Sequence, residues 1–82
     1  IVGFINILDS TNDLNNIKKT GFYSWYTENG FPKNMPVLHS PRGLLLVLNE
    51  ASHTMQMIFD SEARVVHRFG TVNNFWVSWK EL

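Results

Sequence analysis

The 82-residue chain has seven Lys plus Arg and seven Asp plus Glu, so its formal charge is zero at neutral pH. This balance argues against a nucleic-acid groove and an anionic membrane surface, because both require concentrated positive charge. The 44% of hydrophobic residues argues against disorder, and the lack of cysteine excludes disulfides and thiolate metal sites.

The length predicts a single domain, residues 1–82, with residues 1–12 as its leading segment. Because the sequence begins with Ile1 rather than Met, we expect an upstream region of a longer polypeptide. No run of 18 apolar residues is present, so we expect no membrane insertion. A small domain without disulfides or a structural metal buries little surface, and we expect it to pack against a neighbouring domain or copies of itself.

The first third of the sequence predicts either a strand or a packed entry segment, followed by one short helix. Residues 1–8 are apolar, and residues 9–12 supply four capping-type side chains. A helical turn is therefore expected over Asp13–Lys18, and Gly21 is well placed to end it. The aromatic and hydroxyl residues 22–27 then predict a strand.

The middle of the sequence predicts a loop and a buried strand. Three prolines fall within the segment Glu28–Pro41, which we therefore interpret as a loop. The apolar run Leu44–Leu48 is short and is bounded by Gly43 and Asn49, which favours a strand buried on both faces.

Three further strands are predicted in the last third, over His53–Asp60, Arg64–Phe69 and Phe75–Leu82. In the first, Met55, Met57 and Phe59 alternate with Thr54, Gln56 and Asp60. Short connections imply antiparallel neighbours. The predicted fold is mainly β (small α+β), an antiparallel β-meander of four to five strands with one short N-terminal helix.

The sequence offers little catalytic chemistry. His39, His53 and His67 lie fourteen residues apart with no close pair, which makes a zinc site assembled from distant strands an unfavoured alternative. The carboxylates fall in capping or turn contexts, and no nucleophile elbow or glycine-rich phosphate loop is present. We therefore predict no enzymatic activity, no metal and no cofactor.

Aromatic residues are the stronger functional signal. They either form the core and a subunit interface, or lie at a surface that binds sugar or protein by stacking. The sequence leaves both interpretations open for these six residues: Tyr23, Trp25, Tyr26, Phe31, Trp76 and Trp79.

An ordered set of short motifs resembles the pyocin-knob type of domain found in bacteriophage and pyocin tail fibres. The resemblance spans roughly residues 9–82. It rests on Asp13-Leu14-Asn15, Gly21-Phe22-Tyr23, Asn34-Met35-Pro36, Gly43 with Leu44–Val47, Gln56, Arg68 and Trp76-Val77-Ser78-Trp79.

The resemblance implies a non-enzymatic C-terminal knob on a homotrimeric fibre of a virion, acting in host-surface attachment, with a bacterial glycan or cell wall as partner. The alternative is a purely structural trimerisation module attached to a polysaccharide depolymerase. A third hypothesis is that the chain is itself a lyase or hydrolase subunit.

Roles for individual residues follow from combining the resemblance with the sequence pattern. We expect Arg68 to form a cation–π stack with Trp76 and Trp79, and Gly21 and Gly43 to serve backbone geometry. The predicted core comprises Leu14, Ile17, Leu46, Val47 and Phe59. The candidate ligand-binding residues are Trp25, Tyr26, Asn29, Phe31, Lys33, Asn34 and His39.

Overall fold

The structure is a computed structural model that describes residues 5–36 and 42–82. Within these ranges six strands form one sheet in chain order: β1 (Ile5–Leu8), β2 (Gly21–Tyr26), β3 (Arg42–Glu50), β4 (His53–Asp60), β5 (Val65–Thr71) and β6 (Lys80–Glu81). β1 is parallel to β2, and all later neighbours are antiparallel. The mainly β prediction is confirmed. The sheet has one strand more than the predicted maximum and is mixed.

The predicted N-terminal helix is reduced to one 3-10 turn, Leu14–Asn16. The Asp13 side chain caps it by accepting a 2.9 Å hydrogen bond from the Asn15 amide. Two consecutive asparagines explain why the turn does not extend, because Asn side chains compete for backbone hydrogen bonds. Gly21 does not end a helix; it begins β2. A second 3-10 turn, Thr27–Asn29, follows that strand.

β3 is buried on one face only, which corrects the prediction for the run Leu44–Leu48. Leu45 and Val47 are fully buried, whereas Leu44 is 45% and Leu48 48% exposed. The reason is that a covering layer packs against one side of the sheet. An uninterrupted apolar run does not reveal this asymmetry, because both sides of the strand are equally apolar.

β4 alternates as predicted, but its polar side chains face the covered side. Thr54, Gln56 and Asp60 are buried together with Ile58. Phe59, which we expected in the core, is 39% exposed. Hydrogen bonds allow the polar side chains to be buried, so polarity alone predicts the wrong side of this strand.

The core lies on one side of the sheet, which we call the covered face. Its buried hydrophobic residues are Leu8, Leu14, Tyr23, Trp25, Leu45, Val47, Ile58 and Val66, with Ile17, Met35 and Trp79 packed against them. The opposite side, which we call the open face, carries the alternate side chains. These include Ile7, Phe22, Tyr26, Leu44, Leu46, Leu48, Met55, Met57, Phe59, Val65, His67 and Phe69.

The last predicted strand, Phe75–Leu82, is mostly irregular. Only Lys80–Glu81 pairs as a strand, and Trp76 forms an isolated bridge with Gly70. The chain departs from strand geometry here so that Trp76 and Trp79, three positions apart, both contact Arg68. Regular alternation would direct these two side chains to opposite faces.

Candidate functional site

Gln56 is the centre of the covered face. Its side chain is fully buried on β4. The Gln56 Nε2 donates to the carbonyl oxygen of Leu14 at 2.7 Å and to that of Ile17 at 2.9 Å. Its Oε1 accepts a 2.8 Å hydrogen bond from Arg68 Nε. One amide therefore fastens the N-terminal 3-10 turn to the sheet and orients a buried guanidinium.

Arg68 is held between two indole rings. Its guanidinium carbon lies 4.0 Å from the Trp76 ring centroid and 4.6 Å from that of Trp79. The contact is the one expected from the sequence. Arg68 is only 6% exposed, and within the described residues its Nη2 has no hydrogen-bond acceptor. The faces of the two indole rings therefore stabilise the buried positive charge in place of a hydrogen bond from Nη2.

Burial lowers the pKa of the Arg68 side chain. Desolvation lowers the pKa of its guanidinium to about 10, while the Asp13 carboxylate acts in the opposite direction. At neutral pH the side chain still carries its positive charge, so the molecule keeps a cation inside its covered face. Such a charge is costly to bury unless the groups around it are fixed in place.

Asp13 and Asn34 are bonded to each other, and Asn34 is also bonded to Trp79. Asp13 Oδ1 accepts hydrogen bonds from Asn34 Nδ2 at 2.6 Å and from the Asn15 amide at 2.9 Å. These bonds lower the pKa of the Asp13 carboxyl, the Asn34 side chain most strongly. Trp79 Nε1 donates to the Asn34 carbonyl at 3.1 Å. Asn34 has φ of 64°, a left-handed conformation that asparagine tolerates well.

These groups form what we call the arginine cluster: Asp13, Asn34, Gln56, Arg68, Trp76 and Trp79. Its hydrogen bonds and ring contacts join the N-terminal turn, the loop after β2 and the C-terminal segment to strands β4 and β5. Such an arrangement stabilises the covered face. Gln56 had no predicted role, although its place on the same strand face as the apolar Ile58 indicated that its side chain could be buried.

Of the seven candidate ligand-binding residues, one is buried and another falls outside the described residues. Trp25 is 1% exposed in the core, so its ring cannot stack on a ligand at the surface, which corrects that assignment. Its ring fills the space beside Gly43, where a Cβ would lie 2.7 Å from Trp25 Cζ2. His39 falls outside the described residues.

Four other candidates share the loop of residues 27–36. Asn29, Phe31, Lys33 and Asn34 are all exposed there, Phe31 by 48%. We call this group the loop surface. Backbone hydrogen bonds fasten the loop to the N-terminal segment: the Ser10 amide donates to the Asn29 carbonyl at 3.2 Å.

The backbone of Lys33 makes two further hydrogen bonds to the N-terminal segment. Its amide donates to the Asn12 carbonyl at 2.8 Å, and its carbonyl accepts from the Leu14 amide at 3.0 Å. The loop surface is therefore presented on a fixed backbone, which lowers the entropic cost of binding a ligand.

Tyr26, the remaining candidate, belongs to the open face rather than to the loop surface. Its ring stacks with Arg42, whose guanidinium carbon lies 5.2 Å from the ring centroid. Both residues line a groove of about 310 Å³ with Ser24, Leu44 and other residues at the ends of β3 and β4. This volume is at the lower end of those that hold small ligands.

Neither a metal-binding cluster of His, Cys, Asp and Glu side chains nor a membrane-spanning helix occurs in the described part of the chain. Across residues 5–36 and 42–82, no group of three or more His, Cys, Asp or Glu side chains is arranged to hold a metal ion. No helix in these same ranges has the length and hydropathy needed to cross a membrane.

The chain was compared with known proteins at three levels. No protein-family model and no curated protein matches the sequence, and no solved structure matches the fold.

Proposed function

We propose that this chain is a non-enzymatic knob domain of a phage tail fibre or a similar virion tail protein. It attaches the virion to a bacterial surface by binding a glycan or the cell wall, and it works as a homotrimer. The single observation that carries the proposal is that motif residues from Asp13 to Trp79, dispersed over about four fifths of the sequence, meet in the arginine cluster.

The convergence is specific to the residues on which the resemblance rests. Five residues from five different motifs are linked in one chain of contacts. Hydrogen bonds join Asp13 to Asn34, Asn34 to Trp79 and Arg68 to Gln56, and a ring contact joins Trp79 to Arg68. An accidental similarity of short motifs gives no reason for the matched positions to contact one another. A shared fold does, because residues that hold its covered face together must be placed consistently.

The same convergence favours a recognition surface outside the arginine cluster, whose side chains contact one another. We therefore assign ligand binding to Asn29, Phe31 and Lys33 of the loop surface. Phe31 presents an apolar ring, and Asn29 and Lys33 beside it present polar groups. A ring for stacking and nearby hydrogen-bonding groups are what a sugar requires. Binding depends on shape and stacking, because a neutral chain exerts little long-range attraction.

The experiment is a binding assay of the 82-residue chain on bacterial cell envelopes and on a glycan array. We expect wild type to bind at least one envelope or glycan, and Phe31→Ala to weaken that binding at least tenfold. Val72→Ala is the matched control, since Val72 is an apolar residue that is at least as exposed (58% against 48% for Phe31) but lies in the turn after β5. Absence of binding by wild type, or equal loss in both variants, would contradict the proposal.

A second candidate is a structural module that holds three chains together beside a polysaccharide-degrading domain. The extent of the open face favours it, because that face offers a large surface for contact between chains. Under this hypothesis the isolated chain assembles but binds no glycan. The same assay therefore separates the two candidates, and release of oligosaccharide from capsule by the isolated chain would contradict both.

A further inference from the structure

We propose that two methionines and one histidine on the open face, Met55, Met57 and His67, form a binding site for a soft metal ion of single charge, Cu(I) or Ag(I). The site combines thioether sulfur with imidazole nitrogen, so it differs from the clusters of His, Cys, Asp and Glu considered above. The inference goes beyond the proposed function and does not depend on it.

The pairing of β4 with β5 brings the three side chains together. Met55 and Met57 are two positions apart on β4 and therefore lie on the same side of the sheet. His67 is directly opposite Met57 on β5. Opposite residues have Cβ atoms about 4.5–5.5 Å apart, and alternate residues of a strand lie about 6.7 Å apart. Long, flexible methionine side chains can close such distances around one ion.

This neighbourhood depends on the register of the sheet rather than on local sequence. Met57 and His67 are ten positions apart, and the pairing of their strands makes them neighbours. A sequence motif of closely spaced histidines is therefore lacking, although the ligands are close in the fold. For this reason the sequence alone predicts no metal.

The surroundings of the three side chains are apolar but accessible. Met55, Met57 and His67 are each half-buried. Exposed Phe69 is opposite Met55 on β5, and Leu46 is opposite Met57 on β3. An ion can therefore reach the site from solvent and is then partly shielded from water by apolar groups, as thioether ligands require to compete with water.

The two histidines of this face differ in their contacts. His53 Nδ1 lies 2.9 Å from Ser52 Oγ and 3.5 Å from Glu50 Oε1, and its ring stacks on Phe69 with centroids 5.0 Å apart. Within residues 5–36 and 42–82, the His67 ring makes no hydrogen bond, ion pair or ring contact. We therefore assign the imidazole ligand to His67 and not to His53.

The ligand set selects a soft ion of single charge. Thioether sulfur favours Cu(I) among the biological metals, and neutral imidazole is the commonest protein ligand of metals. Both ligand types are neutral, so a bound ion keeps its whole charge. A doubly charged ion here would lack the thiolates or carboxylates that hold zinc and calcium. Ag(I), which also binds sulfur and is not oxidised in air, is the probe of choice.

A positively charged side chain, Lys80, lies across from the site. It is opposite His67 on the edge strand β6 and is exposed. Its flexible stem lets the ammonium group extend into water, where repulsion between two single charges is weak. Lys80 therefore lowers the affinity for a cation only slightly, and it disfavours a doubly charged ion more than a singly charged one.

The test is titration of the 82-residue chain with silver nitrate in chloride-free buffer, followed by isothermal titration calorimetry and native mass spectrometry. We expect one Ag(I) per chain. Met55→Leu and Met57→Leu, which nearly conserve volume, should each weaken binding about tenfold or more, since even outer partners of metal ligands have effects of that size. Met35→Leu is the matched control, because this third methionine packs against the core.

A second pair of variants tests the histidine. His67→Phe keeps a ring on the apolar face and removes the ligand, so we expect it to weaken Ag(I) binding as Met57→Leu does. His53→Phe is the control, because a phenyl ring can still stack on Phe69, and it should bind as wild type does. Fluorescence of the buried Trp25 shows whether each variant is folded.

NMR of wild type keeps the test decisive if a variant fails to fold. We expect Ag(I) to shift the signals of the Met55 and Met57 methyl groups and of the His67 ring, and to leave the Met35 methyl signal in place. Three outcomes would overturn the inference: no stoichiometric binding of Ag(I), equal affinity in Met57→Leu and Met35→Leu, or tighter binding of Zn(II) than of Ag(I). None of these measurements involves a glycan, so the inference and the proposed function fail separately.

Discussion

The indole ring of Trp76 occupies the space into which a side chain at Gly70 would extend. A Cβ built on Gly70 would lie 2.6 Å from Trp76 Cδ2, closer than real carbon atoms approach. Trp25 and Gly43 form a similar pair on the covered face, with a Cβ 2.7 Å from Trp25 Cζ2 and 2.8 Å from the Phe59 carbonyl oxygen. The two glycines thus let large rings lie flat against the sheet.

Gly70→Ala and Gly43→Ala are therefore expected to destabilise the fold. Each adds a methyl group where a ring already lies, and overpacking of this kind costs about 1–3 kcal/mol. Urea unfolding followed by tryptophan fluorescence measures the loss. Gly21→Ala is the control, because a Cβ there meets Tyr23 at an ordinary 3.8 Å. Equal destabilisation by all three substitutions would show that the rings are not the cause.

Replacement of Gln56 by leucine is expected to lower the free energy of unfolding by about 3 kcal/mol. The change leaves Arg68 Nε and the carbonyl oxygens of Leu14 and Ile17 without their partner in a buried place. Gln56→Glu separates the two halves of the network, since it keeps the acceptor for Arg68 and removes the donor to both carbonyls. Denaturant unfolding should rank Gln56→Glu between wild type and Gln56→Leu. A Gln56→Leu protein as stable as wild type contradicts the role given to this residue.

Arg68→Lys is expected to destabilise the protein by about 2 kcal/mol, although it conserves the charge. Lysine lacks the planar group that lies between Trp76 and Trp79, and it cannot reproduce the Nε hydrogen bond to Gln56. Arg64→Lys serves as the comparison, because the Arg64 side chain is one-third exposed and lies outside the arginine cluster, although it bonds the buried Asp60 carboxylate. That substitution should cost less than Arg68→Lys. Thermal unfolding of the two variants side by side gives the difference.

The free energy of unfolding is expected to fall at acidic pH because the Asp60 carboxylate becomes protonated. Burial by itself would raise the pKa of this carboxyl, but hydrogen bonds from the amides of Arg64 and Glu62 and from the Arg64 side chain more than offset it, so its pKa lies below 3.8. The carboxylate therefore contributes stability above pH 3.8, which is lost as the pH falls through the folded-state value.

The measurement for Asp60 is the free energy of unfolding between pH 6 and pH 2. We expect a plateau at the upper end, a decline below about pH 4 in wild type, and a shallower decline in Asp60→Asn. Glu62→Gln removes a neighbouring carboxylate that accepts none of these amide bonds, and it should keep the decline of wild type. Identical profiles for Asp60→Asn and wild type would contradict this account.

Strand positions were largely predictable because alternation depends on local sequence. The segment Phe22–Thr27 and the segment His53–Asp60 each lie within one residue of an observed strand. The contact of Arg68 with two tryptophans was predictable from residue type, because a cation beside aromatic residues has few better partners.

The buried side of the sheet was not predictable in the same way. Gln56 and Arg68 are polar, and their burial depends on Leu14, Ile17 and Trp76, which are distant in sequence. Tryptophan is a residue type that often binds ligands at a surface, yet Gly43 on the neighbouring strand leaves space for the Trp25 ring in the core. The parallel pairing of β1 with β2 likewise depends on a long connection rather than on either strand alone.

The hydrogen bonds of Gln56 also bear on how the molecule opens. Residues 14–17 are fastened to the sheet by Gln56, Gln56 is fastened to Arg68, and Arg68 is covered by Trp76 and Trp79. Neither the N-terminal turn nor the C-terminal segment can then leave the sheet without uncovering a buried charge. Amide hydrogens in these two segments should consequently exchange with solvent through one shared opening, with the same free energy of opening, despite lying about sixty residues apart.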